Sequence, residues 1–288
     1  MIKYIRNQSP GPDGKWGGCI VAVASIIMLL ATGSHGWSQT LRLRDGRSLA
    51  ANTVIVRGGQ LVRALEIKDG GMAEIGYPLG DVVALDWPEP EELRGAREDL
   101  EAHAEARALA KAAAVAGRFE PFAKVPGSWW AEAERLRLQA LVGLGRVDGV
   151  EPAARRLMEN AMNDATRQAA QLILAKVALR EQRWKDARHA VDSLRKQPLA
   201  SALEAEAAVI CGELRLRESD WEGALESFLQ VPAFHPTETG LLPKVLLGSA
   251  RAYRSLGDAG RAERAALELV DQFPKSNEAR QVGREAGL

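Results

Sequence analysis

The sequence predicts a mainly α-helical chain: an α-solenoid of helical hairpins, preceded by a small antiparallel β module and an N-terminal signal segment. Three observations carry this expectation. One apolar pattern recurs four times between Val147 and Pro274. Residues 37 to 88 break into short alternating segments split by Asp-Gly and Gly-Gly pairs. Ahead of both, Cys19 to Ala31 runs apolar behind a basic start.

At the N-terminus, Lys3, Arg6 and Lys15 stand against Asp13, and small residues follow the apolar run at Ala31-Thr32-Gly33 and Ser34-His35-Gly36. That order reads as a secretory signal peptide over 1 to 36. Spanning a bilayer takes about 20 apolar residues, so a permanent anchor is the weaker expectation. Cys19 precedes the apolar run, which argues against a lipoprotein cleavage site. Removal of the segment takes three basic and one acidic residue from totals of 38 and 38, leaving a nearly neutral, exported chain.

From 37 to 88, Asp45-Gly46, Gly58-Gly59 and Asp69-Gly70-Gly71 mark hairpin turns between apolar alternations. Strands are expected at Thr40 to Leu43, Leu49 to Val56, Leu61 to Ile67, Ala73 to Tyr77 and Val82 to Leu85. Five short strands suit a small curled barrel similar in composition to SH3-like or Sm-like modules. Trp87 and Pro88-Glu89-Pro90 close it, because proline lacks a ladder donor and restricts the residue before it. The domain boundary is placed there, with 89 to 288 as the helical domain.

Glu91 to Ala116 is helical in composition. Leu93, Ala96 and Leu100 fall on one helix, and Ala106, Leu109, Ala113 and Ala116 give its partner a stripe. These make a degenerate first hairpin, followed by a loop from Gly117 to Gly127. Trp129 and Trp130 open the next helix and are expected to seal a joint between hairpins.

The repeat itself is anchored at Val147, Trp184, Trp221 and Ala259, at steps of 37, 37 and 38 residues. Three, seven and ten residues onward stand Val150, Ala154, Leu157; Ala187, Val191, Leu194; Ala224, Phe228, Val231; and Ala262, Ala266, Leu269. On a helix that spacing stacks side chains on one face. Seven residues back, Ala140, Val177, Leu214 and Ala252 lie in a second helix, and nine back the small residues Ala175, Gly212 and Ala250 permit close approach, with Leu138 as the exception. Gly145-Arg146, Gln182-Arg183, Ser219-Asp220 and Gly257-Asp258 hold the corners, where a helix C-cap calls for positive φ. After Pro274, Ser276 can cap a short polar helix through Ala286 that closes the array.

The last copy, with Ala250, Tyr253, the Gly257-Asp258 turn, Ala262 and Pro274, resembles the tetratricopeptide repeat (TPR) family. Trp184 with Ala187, and Gly212 with Trp221 and Ala224, keep less of its pattern. The family repeats at about 34 residues, so the longer step implies extended loops and an altered pitch. The resemblance covers roughly residues 90 to 288. It also extends to exported TPR proteins of the bacterial cell envelope, through the last repeat and its continuation Pro274-Lys275-Ser276-Asn277.

Composition excludes several function classes. Charge balances at 38 against 38, which gives no reason to expect nucleic acid as a partner. Membrane contact is expected only through an uncleaved N-terminal segment. Phosphate loop, HExxH, CxxC and GxSxG patterns are missing from the sequence. Gly143, Gly145 and Gly149 follow a helix, whereas a dinucleotide fingerprint follows a strand. The histidines His35, His103, His189 and His235 are isolated, so no metal or cofactor is expected, and Cys211 beside Gly212 reads as a buried structural thiol.

What remains is shape. In TPR proteins the first helix of each hairpin lines a concave groove that holds a protein or peptide. Carried over by position, the resemblance implies groove residues Gln139, Lys176, Glu213 and Arg251, with Arg180, Arg217 and Ser255 one turn later and Glu132, Glu206 and Lys244 one turn earlier. The family's carboxylate clamp is not implied, because its asparagines are missing. The expected function is a non-enzymatic interaction scaffold or adaptor of the cell envelope, periplasmic or envelope-associated. The alternative is an accessory or divergent hydrolase subunit with a site between β module and repeats.

Overall fold

A computed structural model describes residues 39 to 66 and 72 to 286; the expected signal segment lies outside these. The chain divides into two compact units. One contains the strands through Pro90 together with Ala114–Trp130, and the other contains Glu91–Ala113 and everything from Ala131 onward.

Among the described residues the first unit has six strands: β1 (Thr40–Leu43), β2 (Ser48–Ala50), β3 (Ile55–Arg57), β4 (Gln60–Glu66), β5 (Met72–Pro78) and β6 (Val82–Asp86). They form two antiparallel sheets, ordered β2-β1-β6 and β3-β4-β5. Alternation puts Leu41 and Leu43 of β1 and Leu49 of β2 inside, and on β6, where the register with β1 shifts between Arg42 and Leu43, Val82 and Leu85 are both buried three residues apart. The strand expected from Leu49 to Val56 is two strands, because Ala51–Thr53 forms a 3-10 turn. Thr53 Oγ1 donates to Ala50 O at 2.7 Å there, a local bond that competes with the ladder.

Ala114–Trp130 packs on these strands as a strap. Leu85 N donates to Pro126 O at 2.8 Å, Trp129 Nε1 donates to Trp87 O at 3.0 Å, and Trp87 meets Phe119 edge-on at 5.3 Å. Gly127 sits at φ +81°, where any Cβ would collide with the Leu85 carbonyl. The Trp129 indole is therefore committed to the strands, where a seal between hairpins was expected. Trp129 ties the strap to the end of β6, and Trp130, fully buried, donates from Nε1 to Glu120 Oε2 at 3.2 Å.

The helices are α1 (Glu91–Glu101), α2 (Glu105–Phe119), α3 (Trp130–Gly143), α4 (Val150–Glu159), α5 (Asp164–Arg180), α6 (Trp184–Arg195), α7 (Ser201–Arg217), α8 (Trp221–Phe234), α9 (Leu242–Ser255), α10 (Ala259–Gln272) and α11 (Asn277–Ala286). They form a TPR-like array in which α3, α5, α7 and α9 are the first (A) helices and α4, α6, α8 and α10 the second (B) helices.

The two helix types bury differently, and their sequences show why. α5 and α7 pack on several sides, so Ala169, Ala170, Leu172, Ile173, Ala175, Val177 and Ala178 are buried in one, and an unbroken run from Ala207 to Gly212 in the other. B helices bury little beyond their stripe, Ser227 on α8 and Ala265 on α10 being the additions. Eleven of the twelve onward positions are buried; Ala266 is partly buried while Ala265 takes the core place beside it. Of the four anchors, Val147, Trp184 and Trp221 are half-buried and Ala259 is exposed, because each sits at or before the first turn of its helix.

Each corner closes in the same way. Gly145, Gln182, Ser219 and Gly257 have φ of +74°, +60°, +61° and +82°. Arg146, Arg183, Asp220 and Asp258 then donate their backbone N–H to Leu141, Ala178, Arg215 and Tyr253 at 2.8–2.9 Å, the six-to-one bond of a Schellman motif. Asp220 and Asp258 also cap the following helix, accepting from Gly223 N at 3.0 Å and Arg261 N at 2.9 Å. Ser276 caps α11, accepting from Ala279 N at 3.0 Å as expected.

The first hairpin departs from expectation. Its buried face is Ala108, Ala112, Val115, Ala116 and Phe119, so of the expected stripe Ala116 is buried, Leu109 is half-buried, and Ala106 and Ala113 are exposed. α2 also continues past Gly117 to Phe119. On α1, Leu93 and Ala96 are buried as expected, and Asp99 joins them, paired with Arg107 at 2.9 Å and Lys111 at 2.7 Å. The Lys111 hydrogen bond, opposed by burial and supported by Arg107, holds the Asp99 carboxyl below its usual range.

Candidate functional site on the A helices

Because A helices bury so much of their circumference, few of their positions can present polar groups. Gln139, Lys176, Glu213 and Arg251 occupy equivalent places on α3, α5, α7 and α9, and all four are half-buried. A polar side chain held that way keeps one end in solvent and its stem against the neighbouring helix.

Three of the helices meet around Glu213. Lys176 Nζ of α5 bridges to Glu206 Oε2 of α7 at 2.6 Å. Burial pushes the Glu213 carboxyl above its ordinary value; Lys244 of α9 and Arg180 and Lys176 of α5 pull the other way, and Glu278 of α11 adds to the rise. Three helices, α5, α9 and α11, thus deliver Lys176, Arg180, Lys244 and Glu278 to the surroundings of one carboxyl on α7. Both signs of charge are present, which suits a partner that offers main-chain amides and mixed side chains rather than a single anion.

The other contacts of the expected residues lie elsewhere. Arg217 does not join this cluster: its guanidinium stacks over the Trp184 ring at 5.2 Å, so it covers the start of α6. Arg180, exposed at the end of α5, reaches beside the Gly145 corner of the preceding hairpin. Gln139 accepts from Arg135 Nη1 at 3.1 Å; Arg135 in turn bonds Glu132 at 2.8 Å, and Glu132 meets Arg97 of α1 at 3.2 Å. Burial works to raise the Glu132 carboxyl, and Arg135 and Arg97 together outweigh it and hold it low.

One cleft was not foreseen. A cleft of about 450 Å³ opens between α4, α5 and α6, with Met158, Leu174 and Ala190 in its walls and Glu151, Arg183 and His189 at its edges. Arg183 ties it together, bonding Glu151 at 2.9 Å and Asp186 at 3.0 Å. Nothing in the periodicity marks this cleft, since its walls come from between the stripes.

Cys211 is buried as expected, 3.5 Å from Arg195 Nη1. Among the described residues no group of three or more His, Cys, Asp or Glu is placed to hold a metal. The hydrolase alternative turned on a histidine within hydrogen-bond reach of a carboxylate in a closed pocket. His235 is buried with Nδ1 2.8 Å from Ser201 Oγ, but its Nε2 is 3.9 Å from Glu204 Oε2, beyond hydrogen-bond reach, and the Glu204 side chain is 60% exposed.

No protein-family model and no curated protein matches the sequence. Among solved structures, the chain is similar to YrrB, described as a TPR protein with an unusual peptide-binding site. The match has 15% identity and a TM-score of 0.38, and covers 67% of this chain and 90% of that one. Agreement that loose says nothing about the site, and the array described above rests on its own hairpins.

Proposed function

We propose that this protein is a non-enzymatic interaction scaffold that holds a protein or peptide segment along its A helices, with the groups around Glu213 as the polar centre of that surface. The observation that carries this reading is the line of half-buried polar side chains, one per hairpin, at Gln139, Lys176, Glu213 and Arg251. Repeated units present repeated contacts, and an extended partner can meet them in sequence. The apolar run from Cys19 to Ala31 behind a basic start supports export to the bacterial cell envelope, where the segment 37 to 88 adds a second docking surface.

The test is capture from a bacterial envelope extract on immobilised full-length protein, beside the double variant Lys176→Ala with Arg251→Ala. Both proteins should show the same helical circular dichroism, and the variant should lose the captured polypeptide. Equal capture by the two would place binding elsewhere and end the proposal.

A further inference from the structure

The cleft between α4, α5 and α6 opens where one large side chain is missing. Leu141, Ala178, Arg215 and Tyr253 hold the same place in their A helices, because each offers the carbonyl that closes its corner's six-to-one bond. Three of the four are large. Arg215 reaches from α7 to α8, donating through Nη1 to Gly223 O at 2.7 Å, Glu226 Oε2 at 3.1 Å and Ser227 Oγ at 3.1 Å. Beside it Arg195 of α6 covers Cys211 at 3.5 Å. In the last hairpin Tyr253 takes the place, with the Arg261 guanidinium of α10 over its ring at 5.7 Å. Where Arg215 and Tyr253 project, α5 has Ala178, and where Arg195 projects, α4 has Met158. The space left is about 450 Å³, within the range of about 300–1,000 Å³ typical of ligand sites.

One polar group in the wall has nothing to bond. Gln171 of α5 lines the cleft, and its Oε1 is closed off from water without a hydrogen-bond partner. An acceptor left in that state is costly to the fold. The amide turns about χ3, a soft torsion, so either of its ends can be brought to an occupant of the cleft.

The walls and the rim select that occupant. Met158, Leu174, Ala178 and Ala190 call for an apolar body. At the rim Arg183 bonds Glu151 at 2.9 Å and Asp186 at 3.0 Å, and Arg155 bonds Glu151 at 2.7 Å, so these ions already satisfy one another. A guanidinium like that of Arg215 does not fit, since α6 has His189 and Ala190 where α8 has the acceptors Glu226 and Ser227. A phenol does fit. Its ring suits the wall, and its hydroxyl both donates and accepts, so it pairs with whichever end of the Gln171 amide it meets.

We infer that the cleft between α4, α5 and α6 binds a tyrosine side chain of another polypeptide, in the place that Tyr253 fills from within the last hairpin. Leu174 and Ala178 stand two residues to either side of Lys176, which puts them on the opposite side of α5 from it. The site is therefore separate from the A-helix surface proposed above, and it stands or falls without it.

The test is titration of the full chain with N-acetyl-tyrosinamide, followed by amide NMR, beside the phenylalanine and arginine counterparts. The tyrosine amide should shift the Gln171 side-chain signal and the Ala190 backbone signal saturably. Loss of one hydrogen bond to the buried amide should leave the phenylalanine amide about tenfold weaker, and the arginine amide should not bind. Ala178→Tyr, which supplies a ring from α5 itself, should keep the helical signal and lose binding. Gln171→Leu should bind the tyrosine and phenylalanine amides alike. No saturable shift up to the solubility of the tyrosine amide, equal affinity of the wild type for tyrosine and phenylalanine amides, or preference for the arginine amide would each overturn the assignment. So would undiminished binding by a folded Ala178→Tyr, or a tyrosine preference that survives in Gln171→Leu.

Discussion

Phe228 fills one joint of the array, and two glycines make room for it. Its ring is fully buried with its tip between α7 and α9, where a Cβ on Gly212 would stand 2.6 Å from Cε1 and one on Gly248 would come closer still to Cζ. Replacing Gly248 by alanine sets two effects against each other. Helix propensity favours alanine by about 1 kcal/mol. Forcing a methyl against a buried ring costs about 1–3 kcal/mol, and the upper part of that range applies because the ring has no solvent into which to turn. The net effect of Gly248→Ala is therefore a destabilisation of about 1–2 kcal/mol, read from urea unfolding followed by circular dichroism. Phe228→Leu shortens the side chain at the point of collision, so the double variant should be more stable than the sum of single effects by about 1 kcal/mol or more. If Gly248→Ala were stabilised by the propensity gain alone, Phe228 would not fill the joint.

Two further perturbations test the corners and the charge cluster. Gln182 and Ser219 take the left-handed conformation that glycine takes at Gly145 and Gly257. Relief of about 1–2 kcal/mol of strain, less about 0.5–1 kcal/mol of added chain entropy, predicts that Gln182→Gly and Ser219→Gly each stabilise by roughly 0.5–1 kcal/mol in the same urea assay; a loss of stability would contradict the corner geometry. At Glu213 the folded carboxyl titrates above its ordinary value of 4.5, so the folded state holds the extra proton between the two values. Stability contributed by this group therefore falls as pH rises through that window, and Glu213→Gln should melt higher at neutral pH and lose that slope. A variant that melts lower at neutral pH would show that the surrounding cations outweigh burial.

Much of the array could be read from the sequence because its periodicity is a packing requirement. Ala187, Val191 and Leu194 must face inward wherever a B helix meets its A helix, and the corner at Gln182 shows through its alignment with Gly145 and Gly257 even without a glycine. The first hairpin misled for a physical reason. α2 is so rich in alanine that Ala106 and Ala113 serve a stripe as well in composition as Ala108 and Ala112, and only packing with Val115 and Phe119 fixes the register. The strap was hidden too, since Gly127 and Trp129 are explained by long-range partners at Leu85 and Trp87.

The polar surface divides in the same way. Position along the repeat was enough to put Lys176 and Glu213 on one side of the A helices, because that follows from helix geometry. It could not show that Arg217 prefers the Trp184 ring, or that Glu278 of α11 comes near Glu213, because each depends on the angle at which neighbouring helices meet.

Whether a partner lies on the A helices is measured most directly by lysine acylation of the protein with its captured polypeptide bound. Lys244 on α9 and Lys185 on α6 are both exposed in the free chain. Binding along the A helices predicts that Lys244 becomes protected while Lys185 keeps its free-chain reactivity; protection of Lys185 with Lys244 still reactive would contradict it.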